Sequence, residues 1–231
     1  MSNLRLSNDD LVLLCEGISD QSFFASLTRA RGIPGFQIFR IETLSGGVGG
    51  VTAWTEAING LIADPNFENI RGLLIVADND ERPVESFNIV RDAVAASTDI
   101  LSSGISRRLA VPTAPLQKAG AAPAVVTMMI PWVGIICNLE TLCFQAIRSA
   151  FPDKSACVDA LAQCTNSQTW PVSPKSKMQV RSYLASSHQS KPEFGLTRVW
   201  NEAPHLIPLN NAIFDQVADF LSGFGNFITA P

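Results

Sequence analysis

Two short apolar runs that end in carboxylates organise this chain. Leu11-Val12-Leu13-Leu14-Cys15 leads into Glu16-Gly17, and Leu73-Leu74-Ile75-Val76-Ala77 leads into Asp78-Asn79-Asp80. An unbroken apolar run of this length, with no polar residue at alternate positions, reads as a strand buried on both faces, as in a parallel sheet. The first strand spans 11–14 and is followed by a helix over 20–31 that turns Phe23, Phe24 and Leu27 inward. Gly32-Ile33-Pro34-Gly35 stops that helix. A second strand is predicted over 36–41, a helix over 51–62 closed by Asp64-Pro65-Asn66, a third strand over 72–77 and a helix over 84–95. Three β-α units in succession predict an α/β fold with right-handed crossovers.

The pattern weakens between 97 and 124, where a loop with one edge strand near 109–111 is expected. A fourth core strand follows over 124–130, then a helix over 138–151 with Asn138 as its N-cap. Beyond it the apolar spacing predicts short helices over 154–164, 175–186 and 211–221. The expected architecture is a mostly parallel sheet of about four core strands flanked by helices. It occupies residues 1–150, and a helical C-terminal extension, 151–231, packs on it.

Open α/β sheets place their ligands at the carboxyl ends of the strands. Two neighbouring strands of the kind described bring Glu16, Asp78 and Asp80 to that edge. Asp78 and Asp80 are two apart, so in an ideal strand both face one side. Carboxylates gathered so closely need raised pKa values or a bound cation. The pattern therefore predicts a magnesium (or manganese) site for phosphoryl chemistry, since such ions take oxygen ligands and two or three carboxylates suffice.

Charge modifies this picture. The formal net charge is −4, but residues 1–100 hold seven basic and fourteen acidic groups, and residues 101–200 hold ten basic and four acidic. That asymmetry fits an acidic catalytic half beside a basic substrate-holding part, or is plain surface scatter. Arg107, Arg108, Lys175, Lys177 and Arg181 are the candidates for a phosphate-binding face. Five cysteines without CxxC spacing and only two histidines argue against zinc and against a Ser-His-Asp hydrolase. They read as reduced thiols of a cytoplasmic protein. The 21 uncharged residues from 119 to 139 are long enough to span a bilayer, but their prolines and glycines fit a buried strand and loop better.

Taken in order, these motifs resemble the TOPRIM domain shared by topoisomerases, bacterial primases and the nuclease halves of overcoming-lysogenization-defect proteins. That family has a strand ending in Glu-Gly, here Glu16-Gly17, and a later strand ending in Asp-x-Asp, here Asp78-Asn79-Asp80. The chain is most similar to small stand-alone TOPRIM-related proteins. They share Glu16-Gly17-Ile18-Ser19-Asp20-Gln21-Ser22-Phe23, the Gly46-Gly47 turn, Asp64-Pro65-Asn66-Phe67, then Pro131, Gly134 and Leu139-Glu140. It departs from them at Val48, where they carry a polar or basic residue.

The resemblance implies a metal-dependent nuclease with Glu16, Asp78 and Asp80 as catalytic carboxylates. Asp20 and Glu140 would support a second Mg²⁺ or Mn²⁺, and Lys175 or Lys177 would complete the site. Nucleic acid, DNA or RNA, is the implied substrate. Two rivals stand beside this: a non-catalytic or partner-activated subunit of a separate ATPase, and an unrelated magnesium-dependent phosphatase. Each candidate also has a purely structural role open to it. Asp20 serves as an N-cap, Glu140 as a first-turn carboxylate and the Gly46-Gly47 segment as a simple turn. Asn79 and Glu81 are expected to face solvent.

Overall fold

The computed structural model describes residue 6 and residues 11–33, 35–45, 51–100 and 106–230. The four predicted core strands form one parallel sheet: β1 (Leu11–Cys15), β2 (Phe36–Arg40), β3 (Gly72–Asp78) and β6 (Ala124–Ile130), in the order β2-β1-β3-β6. Register pairs Leu11 with Gly72 and Gly72 with Ala124, so all four strands start level. The ends that bear Glu16 and Asp78 are therefore adjacent at the carboxyl edge.

Alternation along the strands splits the core in two. Leu13, Cys15, Leu74, Val76, Val126 and Met128 face α1 (Ile18–Arg31), α5 (Leu139–Ala150) and the helices that follow. Val12, Leu14, Leu73, Ile75 and Val125 face the one-turn α2 (Ile41–Leu44), α3 (Val51–Ile62) and α4 (Pro83–Ala96). Both faces of the central strands are thus covered by helices, which is why these strands carry no polar alternation.

The C-terminal helices α6 (Pro152–Cys164), α7 (Val172–Ser187), α8 (Leu196–Glu202) and α9 (Asp215–Thr229) lie on the α1/α5 side. Phe23 on α1 packs against Trp200 and Phe214, each at a ring-centroid distance of 5.4 Å. Trp200 is therefore a core residue. Tyr183 is buried as well, and its hydroxyl donates to the Leu206 carbonyl at 3.2 Å. Gly72 matters at the opposite end of the sheet. A Cβ there would come within 2.7 Å of Ile228 Cδ1, so the absent side chain lets α9 lie on the start of β3.

Several expectations are corrected. The predicted edge strand at 109–111 is not one. Instead β4 (Thr98–Ile100) and β5 (Ser106–Arg108) pair antiparallel in a separate two-stranded ribbon. The helix expected over 211–221 is displaced to 215–229, because the Asn211 side chain accepts from the Ile213 N–H and caps a short 3-10 turn first. Helix α8 was not foreseen. The Asp64-Pro65-Asn66-Phe67 motif serves the fold. Asp64 Oδ1 accepts from the Asn66 N–H at 2.8 Å, and Phe67 is buried at the amino end of β3. The Gly46-Gly47 turn and Val48 lie outside the described residues. The uncharged stretch 119–139 is β6 with its flanking loops, and among the described residues no helix is long and apolar enough to cross a membrane.

Candidate functional site

Glu16 leaves the end of β1 and stands open to solvent, while Gly17 starts α1. The glycine answers a steric need here. A Cβ on Gly17 would sit 3.2 Å from Asp20 Oδ2, and that oxygen accepts the Gly17 N–H at 2.9 Å. Asp20 is thus not the N-cap. It lies inside the first turn, and its carboxylate folds back toward the strand end.

Asp78 is the last residue of β3 and points to the α1/α5 side, as Leu74 and Val76 do. Its Oδ1 accepts the backbone N–H of Leu139 at 3.0 Å, at the start of α5. This fixes the helix that carries Glu140. The strand stops there, so Asp80 does not reach the site by strand alternation. It adopts a left-handed backbone with φ 46° and pairs with Cys137 through an isolated bridge. A short acidic side chain tolerates that conformation better than most. Asp80 Oδ1 is buried and accepts no hydrogen bond.

These carboxylates lie within electrostatic reach of one another. Burial, and then repulsion from Asp20, Glu16, Glu140 and Asp80, push Asp78 well above the usual carboxylate range. Burial together with Glu16 and Glu140 raises Asp20 to about 7, against the lowering effect of the Gly17 N–H. Glu16 is also raised, by the protein around its carboxyl and by Asp80, and Lys177 partly offsets this. The five candidate acidic residues and Lys177 therefore share one site. Each predicted carboxylate belongs to it, four of them half-buried and Glu16 exposed.

Among the described residues, no group of three or more His, Cys, Asp or Glu side chains is arranged to hold a metal ion as it stands. Two of the carboxylates have one oxygen committed to a backbone N–H. The donor set is nonetheless all oxygen, crowded with like charge, and includes the partnerless Asp80 Oδ1. Those features suit a hard divalent cation.

The residues between and after the two aspartates are structural: Asn79 is buried, which corrects the expectation that it faces solvent, while Glu81 is exposed as expected. Asn79 is fully buried and donates from Nδ2 to the carbonyls of Trp132 and Ile135, at 2.6 and 2.8 Å. It fastens the loop after β6 beside the site. The Glu81 carboxylate accepts the Ser173 N–H at 2.8 Å, satisfying an amide at the start of α7. Asn138 ties the same helix to α5: its Oδ1 accepts from the Thr141 N–H and the Ser176 hydroxyl, and its Nδ2 donates to Ser173 Oγ. The sequence identified Asn138 as a cap. It held no sign of the cross-helix links, because those depend on which helix packs alongside. Asn138→Ala is expected to cost ~1–3 kcal/mol, a lost cap plus unpaired buried hydroxyls. A thermal melt would show a fall of several degrees, and an unchanged Tm would contradict the linking role.

The basic candidates separate. Lys177 and Arg181 lie on α7 beside the cluster and border one cavity with Glu140. Lys175, on the same helix, borders a different hollow with Arg148 and Gln179. Arg108 borders a hollow with Phe67 and Pro123, residues that precede β3 and β6 and so lie at the opposite end of the sheet. The Arg107 side chain lies outside the described residues. A single phosphate-binding face that includes Arg108, Lys175 and Lys177 is therefore not formed.

Fold and site together define an α/β protein that collects carboxylates at the carboxyl edge of a parallel sheet. The chain belongs to the family described as "Protein of unknown function (DUF3226)", whose model matches residues 10–226. No curated protein and no solved structure matches it.

Proposed function

We propose that this protein is a divalent-cation-dependent nuclease of TOPRIM-like (Rossmann-like) architecture, hydrolysing phosphodiester bonds of DNA or RNA. The observation that carries the reading is the convergence of Glu16, Asp20, Asp78, Asp80 and Glu140 from three separate chain segments on one strand edge. Repulsion among them is costly to the metal-free fold, and a cation would relieve it. Glu16, Asp78 and Asp80 would hold Mg²⁺ or Mn²⁺, with Asp20 and Glu140 supporting them. When bound, such an ion supplies Lewis-acid polarisation of a phosphate oxygen and neutralises charge developing on it.

The chain's own groups do the rest. Glu16 is exposed at the mouth with its pKa raised, and such a carboxylate can take a proton from an attacking oxygen and later return one. Lys177 balances the charge of Glu16. Asp20 and Asp78 are kept in place by the Gly17 and Leu139 N–H groups.

The test is cleavage of plasmid, single-stranded DNA and transfer RNA with Mn²⁺, Mg²⁺ or chelator, comparing wild type with the double variant Asp78→Ala/Asp80→Ala. Cutting that needs metal and vanishes in the variant is the expected result. Well-folded wild type that cuts none of the three with either metal would overturn autonomous nuclease activity. Hydrolysis of p-nitrophenyl phosphate without action on nucleic acid would point instead to a phosphatase.

One observation favours a second reading, in which a separate ATPase activates the protein. Eight large apolar side chains are exposed among the described residues. Five of them, Ile18, Val84, Val133, Ile135 and Ile136, follow the carboxyl ends of β1, β3 and β6 and so ring the acidic cluster. Exposed apolar side chains gathered at one edge suit a contact surface. Activity that appears only when such a partner is added would select this reading.

A further inference from the structure

Beside the acidic cluster lies a cavity of about 200 Å³ lined by Ser19, Glu140, Lys177, Arg181 and Thr197. We propose that it is a subsite for one phosphate group of the substrate, next to the phosphate that reacts. The proposal rests on the nuclease reading and narrows it: the substrate is a chain with consecutive phosphates, not an isolated phosphomonoester.

Size and lining define the ligand. Pockets that enclose a whole small molecule run to roughly 300–1,000 Å³, so this one holds a group, not a nucleoside. Its polar lining is two cations, two hydroxyls and the Glu140 carboxylate, with Val180, Leu184 and Leu196 on the apolar side and no aromatic ring on which a base would stack. A guanidinium fork and an ammonium beside hydroxyl donors match tetrahedral phosphate oxygens.

Both cations are exposed to solvent and free of carboxylate partners among the described residues. Lys177 and Arg181 stand four residues apart on α7, a spacing at which like charges face and repel each other. Among the described residues neither forms a hydrogen bond or an ion pair within 4 Å. Arg148 on α5, Lys191 in the loop after α7 and Arg198 on α8 are all paired with carboxylates. Lys177 answers part of the charge of Glu16, but Arg181 has no such task.

Cavity and cluster are joined. Glu140 and Lys177 belong to both, and Ser19 precedes Asp20 on the first turn of α1. Glu140 repels an anion in the cavity, so the phosphate would seat on the side of Lys177 and Arg181. A phosphodiester backbone entering here presents one phosphate to the carboxylates and the next to the cations.

The test is calorimetric binding of thymidine 3′,5′-bisphosphate and thymidine 5′-monophosphate to the full chain in Mg²⁺. Wild type is compared with Arg181→Met, Arg181→Lys and Lys177→Met. The expected result is a bisphosphate preference of at least ~10-fold, the size of one lost charge-assisted contact. Arg181→Met should reduce it below ~3-fold, Arg181→Lys should restore part of it, and monophosphate affinity should not move. For an oligonucleotide that is cut, Arg181→Met should raise KM and leave kcat unchanged. Equal affinity of wild type for the two nucleotides would overturn the subsite, as would a preference that survives Arg181→Met. If no nucleic acid is cleaved but the Arg181-dependent preference is present, the subsite stands and the cleavage reading falls. Cleavage without the preference does the reverse.

Discussion

Asp78→Asn is expected to move stability and activity in opposite directions. In chelator at pH 8 the variant should melt at a higher temperature than wild type, and its metal-dependent cleavage should fall by at least ~10²-fold, the loss typical of deleting one preorganised electrostatic group. The asparagine is isosteric, and its Oδ1 still accepts the Leu139 N–H that positions α5. What disappears is one charge among carboxylates that raise one another. The gain has a readable size, since each ~1 kcal/mol moves Tm by ~2–4 °C in a domain of 150–250 residues. Adding Mg²⁺ or Mn²⁺ should stabilise wild type strongly and the variant weakly, because binding to the folded state alone raises stability by mass action. A variant that melts lower than wild type in chelator would show that Asp78 is a stabilising residue and not part of a strained site. Equal cation stabilisation of the two proteins would remove Asp78 from the metal ligands.

The elements that built this site were legible to different degrees. Leu11–Cys15, Gly72–Asp78 and Ala124–Ile130 could be read because burial on both faces leaves an apolar signature that no surface strand shares. Once parallel order follows, Glu16 and Asp78 must fall at one edge, and that much of the site is sequence arithmetic. Asp80 reached the same place by another route. A left-handed residue and a bridge to Cys137 place it there, and strand periodicity contains no information on either. The burial of Asn79 and the hydrogen bond of the exposed Glu81 were missed for a related reason. A polar residue is read as solvated unless its partner is known, and here the partners, Trp132, Ile135 and Ser173, are 53 to 92 residues away. The split of the basic residues was equally hidden. Lys175 and Lys177 are neighbours in sequence, but two residues turn a helix by more than half a revolution, so they face different hollows.

The metal-free protein should also reverse the common pH dependence of stability. Glu16, Asp20 and Asp78 all have folded-state pKa values above their unfolded ones. Between the unfolded pKa of an aspartate, about 4, and the folded value of about 7 for Asp20, the native state binds more protons than the unfolded chain. Stability therefore falls as pH rises through that window. The contribution of these groups is fully present below about pH 4, and Asp20 has lost its share once pH passes about 7. Tm in chelator should be higher at pH 5 than at pH 8, opposite to a protein whose carboxylates are held by salt bridges. Glu202 works the other way: the Arg198 and Lys191 contacts lower it to about 2, so it loses its contribution only as pH falls toward that value, outside the window. Saturating Mg²⁺ or Mn²⁺ should abolish or invert the slope, because a cation competes with protons for the same oxygens. Asp78→Asn should flatten the profile in chelator and respond little to the cation. A wild-type Tm that rises steadily from pH 5 to pH 8 without metal would mean that the carboxylates are not forced together, and the case for a cation at this edge would lose its physical basis.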